Sequence, residues 1–176
     1  MTRIGSQLTF FSPQRILSRM VVERNEHNFI TGIYSLDDKL VEMAQTSFFD
    51  GIISTEIVSL KQNISIEKIQ KLAIDFTYLD LSEEFPIYEI EKNHKPMLLD
   101  FGLNSFDQIN IKLENLAQKK ANLPIYELIA SCVYYPSLLL GSEAELVLNR
   151  CTGLLLWEKI DLVNKLFTNN STIRKI

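Results

Sequence analysis

The chain has 176 residues, 46% of them hydrophobic and 23% charged, with a formal net charge of -4. That is enough length for one domain with a real core, and the composition is not that of a disordered chain. Its 18 basic residues are interspersed with 22 acids, so no basic face stands out, and nucleic acid is not expected as a partner. The first residues, Met1-Thr2-Arg3-Ile4-Gly5-Ser6, lack the apolar run of a signal peptide. Leu138-Leu139-Leu140 and Leu154-Leu155-Leu156-Trp157 are far too short to span a bilayer. A cytoplasmic protein without membrane contact is expected, with Cys132 and Cys151 as reduced thiols.

Taken in chain order, residues 4–11 alternate Ile4, Leu8 and Phe10 with Gly5, Gln7 and Thr9, the period of a half-buried strand, and Ser12-Pro13 ends it. Residues 16–24 form a second strand, with Ile16, Ser18, Met20 and Val22 on one face. Asn25-Glu26-His27-Asn28 is a polar turn between two apolar runs, so residues 29–36 return as a hairpin partner, with Gly32 marking a bulge. A loop over 37–45 leads to a fourth strand at 47–53. Residues 65–76 read as a helix capped by Ser65. The stretch 79–90 is ambiguous, with a turn at Ser82-Glu83-Glu84-Phe85-Pro86 and a short strand at 87–90. A second turn at Asn93-His94-Lys95-Pro96 precedes a buried strand at 97–101. Ser105 and Gln108 form a capping box, and Ile109, Leu113 and Leu116 line one face of the helix it opens. Pro124 starts another helix with an apolar stripe of Ile125, Leu128, Ile129, Cys132 and Val133, broken at Tyr135-Pro136 and followed by a short turn ending at Gly141. Residues 145–148 and 153–158 are expected as a strand pair, and 165–168 with 172–175 as a last hairpin.

Several of these pieces, in this order, resemble the amidohydrolase-type metal-dependent hydrolases. Gly51-Ile52-Ile53 is similar to the strand that leads into the family's barrel. Thr55-Glu56 stands where Pro-Gly is usual, Ile57-Val58 at the first barrel strand, and Lys61-Gln62-Asn63 where His-x-His holds the metal. Asn28-Phe29-Ile30 replaces the end of the family's Asp-Gly-Arg-Ile turn, and Asn tolerates the left-handed backbone that Gly supplies. Leu98-Leu99-Asp100 resembles the end of barrel strand eight, where the family keeps a catalytic Asp. Tyr135-Pro136-Ser137 and Leu140-Gly141 resemble its last helical unit, and residues 149–156 take the place of its returning hairpin without the usual Lys and Asp.

The resemblance covers residues 3–63 and 97–176. A (β/α)8 barrel needs about 200 residues or more, and residues 64–96 cannot supply seven of its eight units. The expected fold is therefore α+β: one domain, with a β-sandwich-like part built from both chain ends (3–63 and 142–176), a mostly helical insert (64–141) with about three packed helices, and no complete barrel.

Asp100 is the inherited catalytic candidate, with His94 and Lys61 as companions in a reinvented site. No metal and no cofactor are expected: zinc needs three protein ligands and an open position, and the chain has only two histidines, His27 and His94. His27 in its turn reads as solvated, Cys132 on an apolar stripe as a packing residue, and Glu83-Glu84 and Glu143-Glu145 as solvated acids. Trp157, Tyr134 and Tyr135 read as core rather than as the lining of a ligand pocket. The expectation is a non-catalytic derivative of an amidohydrolase acting as a binding, scaffolding or regulatory module. The alternative is a hydrolase around Asp100, His94 and Lys61. Loss of the barrel leaves Ile57, Val58 and Leu60 in need of cover, from new helices or from a second copy in a homodimer; an intact amidohydrolase is a further possible partner.

Overall fold

The structure is a computed structural model that describes residues 1–37, 45–72, 75–82, 96–119, 123–142, 145–150 and 152–176. Its strands are β1 (Thr2–Ser12), β2 (Arg15–Arg24), β3 (Ile30–Ser35), β4 (Thr46–Thr55), β5 (Thr77–Asp80), β6 (Met97–Asp100), β7 (Leu123–Pro124), β8 (Leu154–Glu158), β9 (Leu166–Phe167) and β10 (Thr172–Lys175). The helices are α1 (Ile66–Leu72), α2 (Phe106–Lys119), α3 (Ile125–Ile129) and α4 (Tyr135–Leu139), the last two joined by a π-helical turn over Ala130–Tyr134. The fold is α+β, and no closed barrel is formed among the described residues.

A six-stranded sheet in the order β10-β8-β4-β1-β2-β3 draws on both ends of the chain. β1 runs parallel to β4, and its other neighbour β2 is antiparallel. The run Leu154-Leu155-Leu156-Trp157 lies at β8, between β4 and β10, and all four residues are buried. Its alternate residues enter opposite cores, Leu155 and Trp157 on one face and Leu154 and Leu156 on the other. A continuous apolar run is what a strand buried on both faces requires.

The strict alternation expected for the first two strands fails in both. Leu8 and Phe10 pack on the face that carries Trp157, whereas Ile4 packs with Phe11 on the opposite face. The switch coincides with a register shift against β4 between Ser6 and Leu8, and one extra residue in a ladder reverses the side-chain parity beyond it. In β2, Ile16 and Val22 likewise fall into different cores, with Arg19 at φ 53° between them. On the β4 side of the shift Gly51 has φ 147°, and a Cβ there would lie 2.1 Å from the Trp157 carbonyl oxygen. Only glycine meets both demands.

The β2–β3 hairpin follows the sequence closely. Asn28 takes φ 61°, and the Asn25 side chain accepts from the His27 and Phe29 amides. The shift between Glu23 and Arg24 places the bulge beside Gly32. The expected strand at 145–148 is absent: the Asn149 amide donates to the Ile30 carbonyl, and Ile30 donates to Arg150, so this segment covers the outer edge of β3. The expected last hairpin is also replaced. β9 pairs with β7, and β10 pairs with β8. The edge of β10 is met by α2, where the Asn110 side chain takes both backbone groups of Ile173.

Ile57-Val58 does not form a strand. The Val58 amide donates instead to the Cys132 carbonyl, 3.2 Å away. The expected helix break at Tyr135-Pro136 is absent for a related reason. Pro136 has no N–H to give the carbonyl four residues back, which is Cys132, and its ring crowds that carbonyl. The chain widens into the π turn, with the Tyr135 amide reaching Ala130, and Val58 takes the acceptor left over. Leu60 is buried with Ile69 and Leu98, while Ile57 and Val58 are half-buried, so of the segment expected to be stranded by loss of a barrel this chain itself fully covers Leu60. The short strand expected at 87–90 and most of the turn at 93–96 lie outside the described residues.

Candidate functional site

β5 and β6 form a two-stranded parallel sheet in which Asp80 stands opposite Asp100 at the carboxyl ends. Parallel strands gather side chains from the following loops at this end, where open α/β sheets place their ligands. Both strands end in the same local pattern, Leu79-Asp80-Leu81 and Leu99-Asp100-Phe101. The apolar residues of both segments are buried, and they fix the strand ends so that the two aspartates stand opposite each other in the ladder.

Asp100 is completely buried. Its Oδ1 accepts from Ser59 Oγ at 2.7 Å and from the Gly102 amide at 3.0 Å. Its Oδ2 accepts from the Lys61 amide at 2.7 Å and from the Tyr78 hydroxyl at 3.2 Å. A carboxylate offers about four lone-pair sites, and these donors occupy them. Gly102 turns the chain under the carboxylate with φ 59°, and a Cβ there would press on Ser82 at 2.8 Å.

Asp80 is half-buried and differently served. Lys61 Nζ donates to its Oδ2 at 2.9 Å, and the Ser82 amide donates to Oδ1 at 2.9 Å. The Ser82 hydroxyl also donates to Oδ1 and accepts from Lys61 Nζ at 3.3 Å. Burial works to raise the Asp80 pKa, but the Ser82 hydroxyl, Lys61 and the Ser82 amide outweigh it and hold the carboxyl below its usual value. Tyr78 is pushed well above the ordinary phenol range by burial and by the charges of Asp100 and Asp80, so it serves as a donor.

Lys61 and Asp100 are therefore brought together, through the lysine amide rather than its ammonium. His94 lies outside the described residues, as do Glu83, Glu84 and Glu143. Ser59, Tyr78, Asp80 and Ser82 complete the cluster and were not singled out in the sequence; the repeated Leu-Asp-apolar ending of two short strands was the signal for Asp80. Elsewhere, His27 is exposed in its turn beside Glu26, and Glu145 pairs with Arg15 at 3.6 Å. Cys132 is buried, and burial pushes its thiol far up, so it is not a thiolate nucleophile. Trp157 is core, its indole N–H donating to Ser54 Oγ at 2.9 Å. Tyr134 and Tyr135 are half-buried against each other and the core.

A catalytic metal of the kind the resemblance implies does not fit this cluster. The Asp100 oxygens are committed to protein donors, Lys61 brings a cation, and no imidazole joins the set among the described residues. Among the described residues no group of three or more His, Cys, Asp or Glu is placed to hold a metal ion. No helix among them is long and apolar enough to cross a membrane. No family model, curated protein or solved structure matches the chain.

Proposed function

We propose that this chain is a catalytically silent derivative of an amidohydrolase-type metal-dependent hydrolase, serving in the cytoplasm as a binding, scaffolding or regulatory module. The observation that carries the reading is the filled carboxylate of Asp100. A group that binds metal and moves protons needs free lone pairs facing a cleft, and here they are spent on Ser59, Lys61, Tyr78 and Gly102. The ancestry is supported by a meeting in space. Lys61, at the place of His-x-His, lies against Asp100, at the place of the strand-eight acid, 39 residues away. The β-sandwich reading is supported by the β7–β9 ribbon, whose Phe167 packs edge-on against Trp157 of the large sheet.

The test is metal content and hydrolysis together. The purified protein, incubated with zinc or manganese and desalted, is expected to retain no stoichiometric metal by elemental analysis and to leave amide and ester substrates intact. Stoichiometric metal with hydrolysis would overturn the reading. A second reading, a hydrolase around Asp100, His94 and Lys61, draws on the contact of Lys61 with Asp100. It requires hydrolysis that Asp100→Asn abolishes. A homodimer, or a complex with an intact amidohydrolase, belongs to the first reading. With Leu60 buried, its interface would use other apolar groups, such as the exposed Phe48 and Leu103. Light scattering of the protein alone, and then mixed with such an enzyme, tests both.

A further inference from the structure

We infer that a recess at the irregular middle of the large sheet binds a small primary amine with an apolar body. Three neighbouring strands lose their regularity at one level. Ser6 stands opposite Phe49 and Leu8 opposite Ile52, so β4 holds one residue more than β1 there. Across β2 the partners are Met20 and Ser18, with Arg19 between them at φ 53°. Side-chain-bearing residues adopt that backbone rarely, and such outliers, like bulges, collect at ligand sites. Gln7, Arg19 and Asp50 thus come to one level of three adjacent strands, and all three are exposed. Together with Leu36, Phe48 and Phe49 they line a recess of about 300 Å³, the lower end of the range for ligand pockets.

The charges of the recess are unequally answered. Arg19 meets Asp37 at 3.0 Å, and the Arg174 guanidinium over the Phe49 ring is held by Glu158. Asp50 and Gln7 take no ion pair or hydrogen bond among the described residues. Phe48 lies across Gly5, where a Cβ would come within 2.5 Å of its ring, and it stays exposed. An uncompensated carboxylate, an amide oxygen and an aromatic ring are what an alkylammonium group seeks: charge from Asp50, an acceptor in Gln7 and the π face of Phe48. The apolar walls favour an organic ion over a metal, which needs oxygen ligands on several sides. This site shares no residue with the Asp100 cluster and does not rest on the ancestry.

The experiment compares phenethylamine, charged at neutral pH, with phenethyl alcohol, its neutral counterpart of nearly the same shape. Each is titrated into the isotope-labelled full chain and followed by proton–nitrogen correlation spectra. The amine is expected to shift the amides of Gln7, Arg19 and Asp50 to saturation and to leave those of Asp80 and Asp100 in place. The alcohol is expected to bind about tenfold more weakly or worse, the factor carried by one charge-assisted hydrogen bond. Asp50→Asn is expected to bind the amine no better than the alcohol, and Phe48→Ala to weaken both ligands. No saturable shift with the amine at about 10 mM, equal affinity for amine and alcohol, or an Asp50→Asn variant that keeps the preference would overturn the inference. If a variant does not fold, the comparison of the two ligands on the unaltered protein decides alone. Retained metal in the unaltered protein would count against the proposed function and leave this site standing, whereas a failed titration would leave the reading of Asp100 standing.

Discussion

The side-chain amide of Asn110 pairs with the backbone of Ile173 as a neighbouring strand would. Asn110 Nδ2 donates to the Ile173 carbonyl at 2.9 Å, and the Ile173 amide donates to Asn110 Oδ1 at 2.7 Å. One residue of a helix thereby closes the outer edge of β10, the kind of edge that otherwise recruits another chain.

Asn110→Ala removes that closure. It is expected to cost about 1–3 kcal/mol, because both backbone groups of Ile173 lose their partners. Urea unfolding gives the cost. Light scattering at rising concentration is expected to show self-association beyond that of the unaltered protein at the same concentration.

Asp80 makes the β5–β6 centre sensitive to acid. Its folded pKa lies below its unfolded value, so its contribution is present in full above about pH 4, the ordinary Asp value. It is lost as pH falls through the lower folded value. Asp80→Asn lacks this contribution at every pH. The melting-temperature gap between the two proteins is expected to be widest at neutral pH and to close below pH 4. A gap that stays constant to about pH 2.5 would contradict the assignment.

Gly51→Ala combines a Cβ driven into the Trp157 carbonyl with a backbone angle that alanine resists. The expected cost is about 3 kcal/mol or more, since neither strand can retreat without breaking the β4–β8 ladder. Gly141→Ala is the control. It also has a positive φ but open space at its Cβ, and is expected to cost about 1 kcal/mol. Chemical denaturation of the pair separates contact from backbone strain.

Pro136→Ala gives the helix an N–H for the Cys132 carbonyl. The π turn is then free to tighten, and Val58 must share or lose its acceptor. Faster hydrogen exchange at the Val58 amide, with exchange in α2 unchanged, is the expected result. Protection at Val58 equal to that of the unaltered protein would show that the carbonyl serves both.

How far the sequence discloses this fold depends on whether a signal is local. The Asn25–Asn28 turn, the Ser105–Gln108 capping box and the Leu154–Trp157 run announced their structures, because each rests on contacts a few residues long or on burial of one strand. The pairing of β9 with β7 did not, since two-residue strands carry no period. Nor did the face switch in β1, which depends on an extra residue in β4. The missing break at Pro136 turned on a partner far away, the amide of Val58. At the candidate site, Asp100 was singled out only through the resemblance of Leu98-Leu99-Asp100 to the end of a barrel strand. Asp80 was hidden because β5 spans only four residues and sits in a stretch with no clear period.

The closure of the large sheet also sets an order of events during synthesis. Ser54 and Trp157, which share a buried hydrogen bond, are 103 residues apart, and β4 has no partner on that side until β8 has been made. While the ribosome translates the intervening chain, the nascent N-terminal sheet of β1 to β4 presents an open edge and two bare isoleucines, Ile52 and Ile53, that the finished protein buries completely. Contacts this distant form slowly, and an exposed strand edge is where unfinished chains associate. β8 and β10 thus act as the clasp of the domain, and the time needed to translate the chain between β4 and β8 is the interval in which the half-built sheet depends on its surroundings to stay apart from its neighbours.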